Sequence, residues 1–339
     1  MKIIIVLLAL SCICFAEVWY VHPDSVMNTI QEAIDSAGVY DTVLVATGTY
    51  HENIYGEGKA LYLISESGPA VTIIDGDSVD RVIWSRWDGF AEIRGFTIMN
   101  GIADWGAGVV IADNFHFPLV FVDNIVVNNV ATLVGAGMRI HGSYAIVRNC
   151  YILNNTTLGV GYAGGICVTN DSGTVIDSCR ILNNTGDGIL AMYSEPVIIN
   201  YNDIYGNSRY GVCYSDSDTT ITINAEYNWW GDSSGPGGEG PGTGDSVSMY
   251  VDYDPWLTGP VGVIEYQKKN VQTKMLVYPN PFQNKVYFDG EGIVYDESGR
   301  KIKEVYNFWD GYNSMGKKLS SGVYFLRKDN LSVKLVMVR

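Results

Sequence analysis

Residues 145–155 read AIVRNCYILNN, two short β-type segments that meet at a corner and end in a pair of asparagines. The same pattern recurs along the chain. One series of segments begins with glycine and continues as a short β-rich strand, at 108–111, 137–140, 165–168, 188–191 and 211–214, with spacings of 29, 28, 23 and 23 residues. A second series ends in asparagine, at 98–100, 126–129, 152–155, 181–184 and 204–207. Three short strands per period predict a parallel β-helix, in which stacked coils bury one continuous core.

Both ends of this repeat carry features that would close a solenoid. Residues 27–38 predict an amphipathic helix that ends at a glycine and caps the open end of the first coil. The last coil closes with the segment NWWGDSSGP at 228–236. The low charged fraction of 17% and the 38 glycines also fit an all-β chain better than a helical enzyme.

The opening segment, the GFTI coil at 95–98 and the closing segment at 228–236 together resemble secreted right-handed β-helix repeat proteins of the pectin-lyase-like superfamily. The resemblance covers about residues 18–255. It implies an all-β, right-handed parallel β-helix with an N-terminal capping helix, over residues 17–262. It leaves the activity open, because the superfamily includes lyases, hydrolases, epimerases, adhesins and inert spacers.

Charge divides the chain into two modules of opposite sign. From Lys268 onward there are 13 Lys and Arg residues against 7 Asp and Glu, whereas the first 267 residues hold 9 basic and 30 acidic residues. A body this acidic should repel nucleic acids, anionic membrane surfaces and polyanionic polysaccharides. We therefore expect no nucleic-acid partner.

The N-terminal segment predicts export. Lys2 precedes an apolar run from Ile3 to Leu10, and Ala16 offers a small residue for cleavage. Residues 1–16 therefore read as a secretory signal peptide, which predicts a secreted or cell-surface protein with no membrane span in the mature chain. Cys12 and Cys14 leave a lipoprotein signal as the alternative.

The C-terminal module has a different pattern. Residues 263–274 predict a polar linker, and 275–339 predict short strands joined by tight turns, typical of a small Ig-like β-sandwich. The segments VYPNPF at 277–282, WDG at 309–311 and SGVYF at 321–325 resemble, in order, the C-terminal sorting domain of type IX secretion cargo, which is related to an Ig-like domain of flagellar-hook capping proteins. That resemblance implies secretion machinery as a partner. An accessory Ig-like domain without a sorting role is the alternative.

Aligning the coils on their asparagine pairs places Asn124, Cys150, Cys179 and Asn202 at one repeating corner, where a buried amide stack would satisfy backbone groups. Backbones of adjacent coils lie about 4.8 Å apart. Cys150 and Cys179 are therefore candidates for a disulfide, with packed free thiols as the alternative.

Catalytic candidates are few. A β-helix lyase needs an Arg or Lys base, and Arg139 and the nearby His141 occupy one repeat strand. A glycosidase needs two facing carboxylates, and Asp187, Glu195 and Asp203 share one coil, although they fall on different corners. We expect no resident metal or cofactor, with calcium required only if the protein is a lyase.

Aromatic residues give the stronger indication of function. Trp84, Trp87 and Trp105 lie near the long early loops, and sugar binding combines aromatic faces with polar hydrogen-bonding groups. The sequence thus favours a noncatalytic exported protein that binds glycans or protein partners. The alternative is a polysaccharide lyase or glycoside hydrolase, so whether the chain is an enzyme stays open.

Overall fold

The computed structural model describes residues 16–159, 162–170, 173–193, 197–216, 220–261, 277, 285–328 and 331–338. The chain divides into two compact units, Met1–Glu265 and Tyr266–Arg339. The predicted signal peptide, apart from Ala16, and the predicted linker at 263–274 lie outside the described residues. In the described part of the chain, no helix is long and apolar enough to cross a membrane.

The first unit is a right-handed parallel β-helix of about nine turns, as the repeat predicts. Its strands form three long parallel sheets and one short one. The ten-stranded sheet contains Val18–Val21, Thr42–Val45, Leu61–Ser65, Phe90–Arg94, Leu119–Val122, Ala145–Arg148, Val175–Asp177, Ile198–Asn200, Ile223–Asn224 and Val251–Asp252. The seven-stranded sheet contains Gly48–His51, Thr72–Asp75, Thr97–Met99, Ile125–Val127, Tyr151–Leu153, Arg180–Leu182 and Asp203–Tyr205.

The nine-stranded sheet forms the third side of the coil. It contains Ile54–Glu57, Ile83–Arg86, Val109–Ala112, Met138–His141, Ala163–Thr169, Asp187–Met192, Tyr210–Tyr214, Gly244–Val247 and Pro236–Gly238. The short sheet, with strands Ile102–Trp105, Val130–Val134 and Thr156–Thr157, lies in chain order between strands of the seven-stranded and nine-stranded sheets. It is therefore positioned to form a wall beside the nine-stranded sheet.

The core follows from the alternation of side chains along each strand. Each of the three long sheets turns apolar side chains inward, and Ile140, Val147 and Ile152 of one coil are all fully buried. Because the coils stack in register, these residues join those of neighbouring coils in one continuous cluster. The outward residues of the same strands are then free to form a binding surface.

The predicted corner stack is confirmed. Asn124 accepts a hydrogen bond from the backbone N–H of Phe96 at 2.9 Å, and Asn202 accepts one from the N–H of Cys179 at 2.8 Å. Both asparagine side chains are fully buried. Their amides thus satisfy backbone groups that turn away from the sheets at this corner.

A second stack runs along the next corner. Asn129, Asn155, Asn184 and Asn207 each donate from Nδ2 to an oxygen of the following member, and Asp245 receives the last of these bonds at 2.9 Å. Each asparagine pair in the sequence therefore has one buried member, and the side chain of that residue links its coil to the next. Asp245 ends this stack with a carboxylate that also accepts from the backbone N–H of Gly206.

Cys150 and Cys179 lie next to each other in the first stack, as predicted. The backbone N–H of Cys150 donates to Sγ of Cys179 at 3.4 Å, and both side chains are buried. Each thiol also donates to a carbonyl of its own turn, at 3.1 Å to Arg148 and 3.2 Å to Asp177. Both cysteines are free thiols in this structure, and the disulfide stays a prediction.

The predicted N-terminal capping helix is shorter than the pattern at 27–38 indicates. It spans Ile30–Ser36, with Thr29 as N-cap, and buries its apolar face on the first coil. The carboxylate of Glu52 accepts the N–H groups of Ile30 and Gln31 at 2.8 and 2.9 Å. This interaction satisfies backbone donors at the start of the helix, so the helix begins there.

The C-terminal unit is an antiparallel sheet that fits the predicted Ig-like sandwich. Its four strands are Val286–Asp296, Lys301–Trp309, Gly322–Lys328 and Leu331–Met337, and Lys301–Trp309 and Leu331–Met337 are the edges. One face buries Val294, Trp309 and Leu326 completely. The unit therefore has a core of its own.

Candidate functional site

Outward side chains of the nine-stranded sheet line up across three successive coils. Trp84, Val110 and Arg139 are in register with one another, and Arg86, Ala112 and His141 form the next register row. Parallel pairing without a register shift brings these residues side by side although 26 to 29 positions separate them in the sequence. They form the floor of a concave surface.

Trp105 at the end of its short strand forms the adjoining wall. The resulting cleft, called here the tryptophan cleft, has a volume of about 230 Å³. It is lined by Trp84, Arg86, Trp105, Val110, Ala112, Asp113, Arg139 and His141. Four residues proposed from the sequence on separate grounds, two tryptophans together with Arg139 and His141, thus line one cleft.

Cation–π contacts hold the two tryptophan rings. The Arg81 guanidinium lies 4.5 Å from the Trp84 ring and 4.4 Å from the Trp105 ring, and the two rings meet edge to face with centroids 6.1 Å apart. Arg81 also donates from Nη1 to the carbonyl of Trp105 at 3.2 Å. On the other side, the Arg139 guanidinium lies 4.6 Å from the Trp105 ring. The wall of the cleft is thereby preorganised.

Positive charge in the cleft is only partly neutralised. Arg86 pairs with Asp113 at 3.4 Å, and Arg81 pairs with Asp80 at 3.6 Å. Among the described residues, no carboxylate lies within ion-pair distance of Arg139, and its Nε is buried without a hydrogen-bond partner. The indole Nε1 of Trp84 is likewise a buried donor with no partner in the described part of the chain. Leaving such buried donors without a partner costs free energy.

Burial shifts the pKa of both titratable groups at the floor in the direction that disfavours their charged forms. Burial lowers the pKa of Arg139. Burial, and then the nearby Arg139 guanidinium, lower the pKa of His141, whose Nδ1 lies 2.8 Å from Oγ1 of Thr169. His141 is therefore neutral at pH 7 in the free protein.

The acidic candidates lie elsewhere. Asp187 is fully buried on the nine-stranded sheet, where Nη1 of Arg209 donates to it at 3.0 Å and the N–H of Tyr210 at 3.2 Å. Asp203 is on the seven-stranded sheet and accepts from Nε of Arg180 at 3.2 Å. Different sheets thus separate these two carboxylates, as the sequence anticipates. Glu195 lies outside the described residues.

Trp87 stands at the rim. Its ring lies 3.9 Å from the Arg86 guanidinium, and 43% of the residue is exposed. It does not line the cleft.

Calcium does not fit the tryptophan cleft. This ion takes six to eight oxygen ligands, whereas the cleft's described lining offers the carboxylate of Asp113 alone, already paired with Arg86. A different group of potential metal ligands, His51, Asp75 and Asp77, has ligand atoms within 4.8 Å of one another. His51 and Asp77 are exposed and bond to each other at 2.8 Å. The spacing of these residues in the sequence gave no indication of this group.

Sequence reasoning also missed Arg81, Arg86 and Asp113. The strand IWSR at 83–86 carries the signal for Arg86, since its outward positions pair with the next coil, whereas Arg81 precedes the strand. Asp113 directly follows the next strand of the same sheet. Aligning this early coil with the glycine series would have placed Arg86 and Asp113 near Arg139 and His141.

Comparison with known proteins agrees with the fold. Residues 82–237 match the family described as "Right handed beta helix region". Among solved structures, a pectin methylesterase in complex with hexasaccharide VII is 13% identical, with 89% of this chain and 86% of that chain covered and a TM-score of 0.26. The full-length tailspike protein 2 of Escherichia coli O157:H7 bacteriophage CAB120 is 12% identical, with coverages of 88% and 62% and a TM-score of 0.25. At these TM-scores neither structure informs the function of this chain. No curated protein matches the sequence.

Proposed function

We propose that this chain is a noncatalytic glycan-binding protein, and that the tryptophan cleft binds a saccharide unit carrying an acidic group. The observation that carries this proposal is the Arg139 guanidinium, which faces the cleft without a carboxylate partner among the described residues. A ligand carboxylate or sulfate would pair with it. The half-buried rings of Trp84 and Trp105 offer the apolar surface that suits the C–H face of a sugar.

The distribution of charge favours sparse acidic groups over a dense polyanion. Arg86, Arg139 and Asp113 leave one uncompensated positive charge in the cleft when His141 is neutral. The rest of the β-helix is strongly acidic. A long polyanion would therefore be repelled outside the cleft, whereas a mostly neutral glycan with an occasional acidic unit would not.

The arrangement of carboxylates supports a noncatalytic role. Hydrolysis of a glycosidic bond needs an acid and a base or nucleophile on opposite sides of the bond. Asp113 is the one carboxylate in the described lining of the cleft, and Arg86 pairs with it. Neither Asp187, which pairs with Arg209, nor Asp203, which pairs with Arg180, is among the residues that line the cleft.

Replacing Arg139 by glutamine should weaken binding of acidic oligosaccharides about 10- to 100-fold, because a hydrogen bond to a charged group contributes about 1.5–3 kcal/mol. Binding of neutral analogues should change little. Titration calorimetry with glucuronate-bearing and neutral oligosaccharides measures both. Arg148→Gln is the matched control, since Arg148 pairs with Asp177 on the ten-stranded sheet at 2.7 Å. Equal losses in the two variants would contradict the assignment of the cleft.

A lyase is the second candidate, favoured by one observation. Burial lowers the pKa of Arg139, which is the direction that a guanidinium needs in order to act as a base. Such an enzyme would release unsaturated products from uronate-containing glycans, which are detected by ultraviolet absorbance. Formation of these products by the natural chain, and their loss in the Arg139→Gln variant, would replace the noncatalytic proposal with the lyase.

We also propose that the protein is exported and that residues 275–339 address it to secretion machinery of the type IX kind. The apolar segment after Lys2 and the C-terminal motifs support this. In a host with that machinery, the full chain should reach the medium or cell surface, and a chain ending at residue 274 should stay in the periplasm. Cell fractionation and immunoblotting distinguish the two. Equal surface delivery of both chains would favour the accessory Ig-like alternative.

A further inference from the structure

We propose that the tryptophan cleft continues across the adjacent turns onto a row of three exposed aromatic side chains, and that this row binds the neutral backbone of an extended glycan. The row, called here the aromatic row, consists of Trp87, Phe115 and Tyr144. This inference rests on the proposed glycan-binding function and adds the surface that binds the uncharged units of a polysaccharide with sparse acidic substituents.

The coil repeat generates the row. Each aromatic residue follows one of three consecutive strands of the nine-stranded sheet, Ile83–Arg86, Val109–Ala112 and Met138–His141. These strands pair in register, so equivalent positions on them lie about 4.8 Å apart. Phe115 and Tyr144 each stand three positions after their strand and are therefore equivalent, whereas Trp87 directly follows its strand, at the position equivalent to Asp113 and Gly142.

Hydrogen bonds between coils fix the three turns. The N–H of Asp88 donates to Oδ1 of Asn114 at 3.0 Å, and the N–H of Asn114 donates to Oγ of Ser143 at 2.8 Å. Asn114 and Ser143 are buried. Asp88, Asn114 and Ser143 are the direct neighbours of the three aromatic residues, so this chain of bonds holds the row in place.

Packing does not account for the aromatic residues themselves. Trp87, Phe115 and Tyr144 are 43%, 70% and 36% exposed. Exposed aromatic residues on a rigid backbone lose little conformational entropy when they bind a partner. Their exposure on three neighbouring coils therefore suits an extended ligand with apolar faces, such as a chain of sugar units.

The aromatic row is continuous with the cleft. Arg86, Asp113 and His141 line the cleft, and they end or directly follow the same three strands. Arg86 joins the two surfaces, because its guanidinium lies over the Trp87 ring at 3.9 Å and pairs with Asp113 at 3.4 Å. A chain with its acidic unit near Arg139 can therefore extend over this edge onto the row.

Local charge at the row suits an uncharged stretch of the ligand. The carboxylate of Asp88 accepts the N–H groups of Phe115 and His116 and also contacts the His116 ring. It is thus engaged within the turn. Hydroxyl groups of a neutral sugar can still bond to the polar turn, whereas an acidic unit would meet the Asp88 carboxylate.

The test compares short and long ligands on the full chain. The probes are disaccharides and hexasaccharides of glucuronate-substituted xylan and of partially oxidised cellulose, measured by titration calorimetry. We expect the natural chain to bind the hexasaccharides at least about tenfold more tightly than the disaccharides. The double variant Phe115→Ala/Tyr144→Ala should bring hexasaccharide affinity to the disaccharide level and leave disaccharide affinity unchanged. Trp87→Ala should give a smaller loss in the same direction.

Tyr205→Ala is the matched control, because Tyr205 is 37% exposed on the seven-stranded sheet, away from the row. Unchanged thermal unfolding and unchanged disaccharide binding would show that the row variants fold. If the double variant binds the hexasaccharides as tightly as the natural chain does, the aromatic row does not bind the ligand. The assignment of the tryptophan cleft is unaffected by that result. If Arg139→Gln weakens the binding of neither probe, or if the natural chain binds neither probe, the proposed function is wrong. This extension is then wrong with it.

Discussion

Replacing Asn155 by leucine is expected to lower the free energy of unfolding of the β-helix by about 3–5 kcal/mol. Asn155 is fully buried in the middle of the second asparagine stack. Its Oδ1 accepts from the backbone N–H and from Nδ2 of Asn129, both at 3.0 Å. Its Nδ2 donates to the carbonyl of Val126 at 3.0 Å and to Asn184 at 3.1 Å.

The size of the loss follows from the groups that remain. Leucine has nearly the same shape as asparagine but no polar atoms, so the N–H of Asn129 and the carbonyl of Val126 would each lose this partner in the interior. A buried group without a partner costs about 1–3 kcal/mol, and bonds in one network strengthen each other. Apolar burial of the new side chain offsets part of this cost.

Urea unfolding followed by circular dichroism measures the difference. Asn154→Gly is the matched control, since Asn154 is the exposed neighbour with φ of 53°, a conformation that glycine adopts freely. It should change the free energy of unfolding by less than about 0.5 kcal/mol. If Asn155→Leu changes the free energy of unfolding by a similarly small amount, the asparagine stack contributes little to the stability of the β-helix.

The strands of the β-helix were predictable because their cause is local. Alternation recurs within the segments, and paired asparagines recur at 128/129, 154/155 and 183/184; both reflect the need to bury one face and turn a corner. The corner of Asn124 and Asn202 was predictable for the same reason. The capping helix came out shorter because Glu52, from a later segment, determines where its backbone donors are satisfied.

The tryptophan cleft was predictable only in part, because its residues come from three coils and from a short sheet that the repeat does not contain. Arg139 and His141 share a strand and could be found together. Their proximity to Trp105 depends on where Ile102–Trp105 leaves the coil, which no repeat encodes. For the acidic residues the sequence was sufficient. Asp187 and Asp203 share one coil, and because each side of a coil belongs to a different sheet, they lie on separate sheets.

Asp187 is expected to make the β-helix less stable as the pH rises from about 4 to about 7. Burial raises the pKa of this carboxyl from 3.8 to about 6, and it outweighs the attraction of Arg209, whose side chain is 42% exposed and hydrated. Between these two pKa values the folded chain keeps a proton that the unfolded chain has released. The stabilisation is therefore complete below about pH 4 and is lost as the pH rises through about 6, by about 3 kcal/mol in total.

Asp187→Asn isolates this contribution, because asparagine stays neutral and can still accept from the N–H of Tyr210. We expect the free energy of unfolding of the natural chain, relative to that of the variant, to fall by about 3 kcal/mol between pH 4 and pH 7. Urea midpoints at a series of pH values measure this difference. Asp123→Asn is the control, since Asp123 is 38% exposed and also lies beside an arginine. If the natural chain and Asp187→Asn have parallel pH profiles, Asp187 is charged throughout, and the ion pair with Arg209 rather than burial determines its protonation.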